Sequence, residues 1–280
     1  MNNFIYYIKL LRPLNVFSSG LAILIAAAIM DVFNQIETVI IVMCVVMCYT
    51  GASNTLNDYL DKDIDLVNRP MRPIPSGKVE INAALYISII LFVIGTILCL
   101  NLSEPAKVIG IVIAMPLLIF YTKYFKGIPL IGNMIVAFII GLSFLFSGAA
   151  FGQMKIMWTP MLLAFGLTLV REIVKDIEDI KGDKLQGLKT LPIMIGEHYT
   201  IRFVVLLSVF MGFGFIIPFY KEIYGIWYLI LLIVVVEVPL SLVIFFLLSK
   251  PNAHSAKKSS KLLKFSTLGG LISIYAGTIL

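Results

Sequence analysis

Charge is scarce in this chain: 14% of its 280 residues are Asp, Glu, Lys or Arg, against about 25% in soluble globular proteins. With 60% hydrophobic residues, that scarcity excludes a water-soluble globular fold and implies a polytopic membrane protein. Cysteine is nearly absent. Cys44, Cys48 and Cys99 all fall in apolar runs, and a pair four residues apart has no metal-site pattern. They read as small buried side chains. The two histidines, His198 and His254, are isolated and take no role as ligands. There is no low-complexity stretch and no soluble domain, and no cleavable leader is read at the start, because the run behind Lys9 and Arg12 reads as a first span.

What is present is hydrocarbon in membrane-crossing lengths. Nine apolar runs of about 17–25 residues, the length that spans a bilayer, lie near 15–33, 38–56, 83–101, 107–122, 130–151, 157–174, 200–218, 224–248 and 262–280. If the runs alternate in direction, 19 of the 22 Lys and Arg fall on one side, leaving Lys107, Lys155 and Lys221 on the other. The basic-rich side is then cytoplasmic. This predicts a multi-pass protein of the cell membrane, with a cytoplasmic N-terminus and the C-terminus outside. The net charge of +6 is a topology signal, and no nucleic-acid partner is expected.

Acid is concentrated in two places. Asp58, Asp61 and Asp65 follow the second run, and Asp176, Asp179 and Asp183 follow the sixth, each set at i, i+3 and i+7. On a helix those offsets put three carboxylates on one face, spread over about 10 Å. Both sets are predicted to emerge on the cytoplasmic side. Each is followed by a polar, basic, proline-closed tail, which hints at an internal duplication. Asp63 and Glu178 fall off these faces and read as solvated. Glu237 lies inside the eighth run and reads as a buried hydrogen-bonded group or the lining of a cavity.

Clustered carboxylates can hold Mg²⁺, relay protons or pair with bases. Mg²⁺ takes oxygen ligands, usually one or two carboxylates together with substrate phosphate oxygens, and a bound cation is what lets an acidic site accept a diphosphate. Arg69, Arg72, Lys123, Lys126, Lys175 and Lys181 lie beside the clusters or on the same side and suit the rest of a phosphate clamp. A neutralised diphosphate is a good leaving group, and an allylic carbon attached to it can ionise. The run Arg72-Pro73-Ile74-Pro75 suggests a lid that keeps water out. Tyr121 to Lys126 reads either as a phosphate-binding turn or as an interfacial aromatic belt with snorkelling lysines.

These residues resemble a known family. Asn57-Asp58-x-x-Asp61-x-x-x-Asp65 and Asp176-x-x-Asp179-x-x-x-Asp183 are similar to the two signature motifs of the UbiA superfamily of intramembrane prenyltransferases. The likeness extends over most of the chain. It implies a single transmembrane prenyltransferase domain over 1–280, an all-α membrane protein whose nine transmembrane helices form a bundle around a central cavity with cytoplasmic helical caps. It also implies Mg²⁺-dependent transfer from an isoprenyl diphosphate.

Asn68-Arg69-Pro70, Arg72 to Gly77, Gly132-Asn133 and Arg171 to Asp183 are most similar to the branch that builds archaeal ether lipids. That branch moves a geranylgeranyl group from geranylgeranyl diphosphate to the hydroxyl of geranylgeranylglyceryl phosphate. By position, Asp58, Asp61, Asp176 and Asp179 would be the catalytic metal ligands, with Asp65 and Asp183 as further ligands. Asn54 and Asn57 would line the diphosphate site. Arg72, Tyr121 and either Lys123 or Lys126 would contact phosphate, and Arg12, Lys175 and Lys181 are candidates for the acceptor phosphate. An aromatic or porphyrin prenyltransferase remains the alternative, since chlorophyll synthases share the Arg-Pro-Ile-Pro-Ser-Gly run. An ion-coupled transporter is more distant, because transporters place carboxylates near the bilayer midplane.

Overall fold

The computed structural model describes residues 4–279, and every regular element among them is helical. In chain order these are α1 (Phe4–Leu10), α2 (Pro13–Ile29), α3 (Ile36–Leu60), α4 (Lys62–Asn68), α5 (Ile81–Cys99), α6 (Glu104–Lys107), α7 (Met115–Phe120), α8 (Ile131–Ala150), α9 (Met154–Leu185), α10 (Leu191–Ile195), α11 (Glu197–Tyr220), α12 (Ile226–Leu232), α13 (Val238–Ser249) and α14 (Ala253–Ile279). Wider π-helical turns occupy Val108–Ala114, Tyr121–Phe125 and Ile233–Glu237.

Proline placement sets several of these boundaries. Pro13, Pro105 and Pro192 stand in the first two positions of their helices, where the missing N–H removes no intrahelical bond, whereas Pro116 and Pro239 stand where π-helical turns pass directly into α7 and α13. Pro160 and Pro218 lie inside α9 and α11.

Six helical stretches among the described residues are long and apolar enough to cross a membrane: Phe33–Leu60, Ile81–Cys99, Ile131–Ala150, Met154–Leu185, Glu197–Tyr220 and Ile226–Ser249. A seventh is added if α1 and α2, bent by 51° at Leu11-Arg12, count as one span. The two other runs expected from the sequence are helical as well. The range 107–122 is divided into short α and π pieces, and 262–280 overlaps α14, whose first half carries Lys257, Lys258, Lys261 and Lys264. Their outward residues suit lipid: α5 leaves Ile89, Ile90, Val93 and Ile97 half exposed. This is an integral membrane protein.

The chain forms two compact units, one of the described residues up to 125 together with 142–157, the other of 126–141 and 158–279. In the first, α3 packs against α2 and α5. A Cβ at Gly95 would lie 2.7 Å from the Tyr49 ring, so only glycine lets α5 approach this closely. Polar groups inside the layer are satisfied locally, as lipid demands. Ser88 donates to the Ala52 carbonyl at 2.9 Å, and the Tyr49 and Thr96 hydroxyls meet at 3.1 Å. In the second unit α12 and α14 pair, and the buried Tyr228 hydroxyl donates to the Phe215 carbonyl at 2.5 Å.

Candidate active site

The first motif does not lie on one continuous helix. α3 ends at Leu60, Asp61 adopts a non-helical conformation (φ −90°, ψ 12°), and α4 begins at Lys62. The carboxylates converge all the same. Asp58 is 3% exposed and Asp65 1%, and one guanidinium joins them: Arg72 Nη1 lies 3.1 Å from Asp58 Oδ1 and 2.5 Å from Asp65 Oδ2. Arg12 pairs with the same Asp58 oxygen, and Arg69 stands 3.9 Å from Asp65. Burial raises the Asp65 pKa above the usual carboxylate value, against the pull of Arg72. Burial, then the Arg12 charge, lowers that of Arg72.

The loop carrying Arg72, expected from its sequence to form a lid, is an anchored strap. The backbone N–H groups of Lys78 and Val79 both donate to the Pro73 carbonyl, at 2.9 and 3.1 Å, and Gly77 turns the chain at φ 69°. Ile74 and Val79 are buried with Leu10 and Ala84, and Tyr6, Tyr7 and Tyr59 pack around them. The apolar half of the loop fixes the basic half over the acids.

Arg12 is positioned by its backbone. It has φ 53° at the corner between α1 and α2, a left-handed conformation uncommon for a side chain of this size. The preceding carbonyl, of Leu11, accepts a hydrogen bond from Asn54 Nδ2 at 2.9 Å. Asn54, expected to line a diphosphate site, braces this corner with its amide nitrogen. Asn57 lies in the last turn of α3, where its carbonyl accepts from the Asp61 N–H at 2.8 Å.

The second motif is built differently. α9 runs unbroken through Asp176, Asp179 and Asp183, so these three do share a helix face. Asp176 Oδ2 accepts from Asn133 Nδ2 at 2.9 Å. Arg171 and Lys175 are engaged one turn earlier, on the buried Glu172, at 2.5 and 2.9 Å. Asp183 is buried and Asp179 half-buried, while Lys181 is exposed. Glu178 is not simply solvated: it accepts a hydrogen bond from Ser260 of α14 at 2.6 Å. Asp63 is exposed, as expected.

The donors of both motifs are carboxylate oxygens, the hard ligands that Mg²⁺ prefers. Among the described residues no three His, Cys, Asp or Glu side chains are placed to hold one ion together. An ion that takes one or two carboxylates and completes its shell with water and phosphate oxygens fits this arrangement, whereas one needing a full protein cage does not.

A protein-family model described as the UbiA prenyltransferase family matches residues 16–268. The chain belongs to the UbiA prenyltransferase family. It is 35% identical over 273 residues to digeranylgeranylglyceryl phosphate synthase of Methanosphaera stadtmanae, covering 98% of this chain and 99% of that one. Against the synthase of the same name from Natronomonas pharaonis it is 37% identical over 227 residues, covering 81% and 82%. A solved structure concerning digeranylgeranylglyceryl phosphate synthase in membranes superposes with a TM-score of 0.77 at 34% identity, covering 100% and 99%. A UbiA homologue from Archaeoglobus fulgidus bound to GPP and Mg²⁺ shares the fold at 18% identity, with a TM-score of 0.67 over 96% and 99%. As a member of this family the chain is a prenyltransferase.

Among residues singled out from the sequence, the UbiA fold brings together Arg12, Asp58, Asp65 and Arg72. Lys123 is exposed, with its ammonium 5.3 Å over the Tyr124 ring, the arrangement expected of an interfacial lysine. Tyr121 opens the turn Tyr121–Phe125 and Lys126 directly follows it, both half-buried. Two residues escaped the site reading. Glu172 stands four residues before Asp176 and extends the acidic face by a turn, a spacing open to inspection. Asn133 stands out only within the Gly132-Asn133 motif, and its partner Asp176 is set by tertiary packing.

Proposed function

We propose that this chain is a digeranylgeranylglyceryl phosphate synthase. It transfers the geranylgeranyl group of geranylgeranyl diphosphate to the free hydroxyl of geranylgeranylglyceryl phosphate, giving digeranylgeranylglyceryl phosphate and diphosphate for archaeal ether lipids. The observation that carries this reading is the end-to-end similarity to the Methanosphaera stadtmanae enzyme of that name. The motif geometry supports it.

In this reading the whole chain is one prenyltransferase domain of nine spans in a bundle with cytoplasmic caps. The N-terminus and the motif loops lie on the cytoplasmic side and the C-terminus outside. Asp58, Asp61, Asp65, Asp176, Asp179 and Asp183 would hold Mg²⁺, which when bound neutralises charge on the diphosphate leaving group. The allylic C–O bond breaks with its electron pair passing to diphosphate. The acceptor oxygen bonds to the freed carbon, and its proton leaves to the released diphosphate or a motif carboxylate. Asn54, Asn57, Arg72, Tyr121 and either Lys123 or Lys126 would bind diphosphate. Arg12, Lys175 and Lys181 are assigned to the acceptor phosphate. Arg12 and Arg72 now sit on Asp58, so two guanidiniums already stand beside the carboxylates that would bind metal.

The test offers purified protein labelled geranylgeranyl diphosphate and Mg²⁺, with geranylgeranylglyceryl phosphate or 4-hydroxybenzoate in parallel. Label transferred to the lipid phosphate and lost with EDTA is the expected result. Transfer to the aromatic acid alone would replace this reading with the aromatic branch.

A further inference from the structure

A second polar site lies in the part of the chain that the prenyl-transfer reading leaves without a role. Glu237 and Ser208 each sit at the middle of a candidate span, Ile226–Ser249 and Glu197–Tyr220. Half a bilayer of hydrocarbon separates such positions from water on either side, and polar groups there need partners inside the protein. Two of their polar atoms lack one: Glu237 Oε1 and Ser208 Oγ are buried without a hydrogen bond, Ser208 being fully buried and Glu237 half-buried. Both line one cavity of about 200 Å³ between α11 and α13.

The backbone is shaped around this feature. The wide turn Ile233–Glu237 ends on the glutamate, with Pro239 two residues on, and such turns recur at functional sites. Opposite, Gly212 leaves room for the carboxyl, since a Cβ there would meet Glu237 Oε2 at 2.8 Å. An ionisable group at this depth is by default a functional one.

The lining selects the ligand. Its polar groups are one carboxyl and the hydroxyls of Ser208 and Ser241, and no Lys, Arg or His is among the lining residues, so an anionic head has no counter-charge. No second carboxylate lines it, which leaves a divalent cation under-coordinated. The mouth faces lipid, with Phe213 71% exposed and Ser241 exposed, so a ligand arrives through the bilayer on an apolar body. Val209, Ile216, Leu240 and Ile244 wall the space for such a body. We propose that the α11–α13 cavity is a lateral binding site for a neutral, membrane-dissolved long-chain alcohol, whose hydroxyl bonds to Glu237 and Ser208.

The probe is a diazirine-bearing hexadecanol, photo-crosslinked to the full chain in lipid nanodiscs and mapped by mass spectrometry. Expected are adducts on α11 and α13 that free hexadecanol displaces and hexadecane does not. Glu237→Leu should reduce them about tenfold, the scale of one lost hydrogen bond to a carboxyl group. Ser208→Ala should act in the same direction, and Gly212→Ala, which crowds the carboxyl, should reduce them too. Because Glu237→Leu removes an unpartnered polar group, its thermal midpoint should rise while labelling falls; a merely structural glutamate would lower it. Labelling unchanged in both Glu237→Leu and Ser208→Ala, or displaced equally by hexadecane, overturns the proposal. So does a Glu237-dependent dimer in place of alcohol labelling, or a deuterium-sensitive Glu237 carboxyl band without it, which would mean trapped water only. Prenyl transfer is read separately, so failure of this site leaves the synthase assignment where it stands.

Discussion

The two aspartate motifs share a spacing and differ in almost everything that spacing does not control. The first is broken at Asp61 and its buried acids are clamped by Arg72, with Arg12 on Asp58 and Arg69 beside Asp65. The second rides one unbroken helix and holds Asp176 through the neutral amide of Asn133, with Arg171 and Lys175 directed to Glu172. Equal spacing in sequence thus yields one motif that is neutralised from outside its helix and another organised along it. A buried carboxylate needs a partner, and the partner is supplied by whatever the fold places nearby: a loop in one case, a neighbouring helix in the other.

The sharpest way to break this comparison is to ask whether both motifs are needed. Asp61→Ala and Asp179→Ala should each lower prenyl transfer by about 10³-fold, the scale of losing a main electrostatic contributor, with the helical circular dichroism signal unchanged. Full activity in the double variant would remove both motifs from the chemistry. Next in size is the clamp. Arg72→Ala strands Asp58 and Asp65 without their shared cation and should cost about 3 kcal/mol of stability in thermal unfolding. Arg72→Lys should recover only part, since an ammonium lacks the planar fork that bridges two carboxylates. The matching change in the second motif, Asn133→Ala, removes a single neutral donor and should cost about 1 kcal/mol. A loss as large as that of Arg72→Ala would mean the motifs are balanced alike. Smallest is Lys123→Ala, an exposed residue, expected within about 0.5 kcal/mol in stability and near normal activity, with Lys126→Ala the more harmful of the pair. The reverse order would shift the phosphate-binding lysine to Lys123.

Much of the site could be read from residue order because short-range geometry governs it. The offsets 58, 61 and 65 and 176, 179 and 183 announce carboxylates within a few turns of each other, and Glu172 obeys the same periodicity. The break at Asp61 was not legible, since nothing in Tyr59-Leu60-Asp61-Lys62 forbids helix. The contact of Asn54 was equally hidden: its neighbours in sequence are motif residues, and its amide donates to the Leu11 carbonyl, 43 residues away. The anchoring of the Arg72 loop was hidden for a similar reason. Proline and arginine dominate its composition, but Ile74 and Val79 decide its behaviour by burying themselves against Leu10 and Ala84.

Taken alone, the sequence determined that this protein lives in lipid, where its six long apolar helices fall in the chain, and which carboxylates travel together. Each of these follows from composition or from the fixed rise and turn of a helix, which any reader of the chain can apply. The tertiary structure decided which cation answers which acid, that Arg12 is held at a strained corner by Asn54, and that Glu237 and Ser208 line one cavity between α11 and α13. Those outcomes depend on residues far apart in the chain being forced together by packing. In a low-dielectric interior the group that happens to be adjacent sets the energy of every charge.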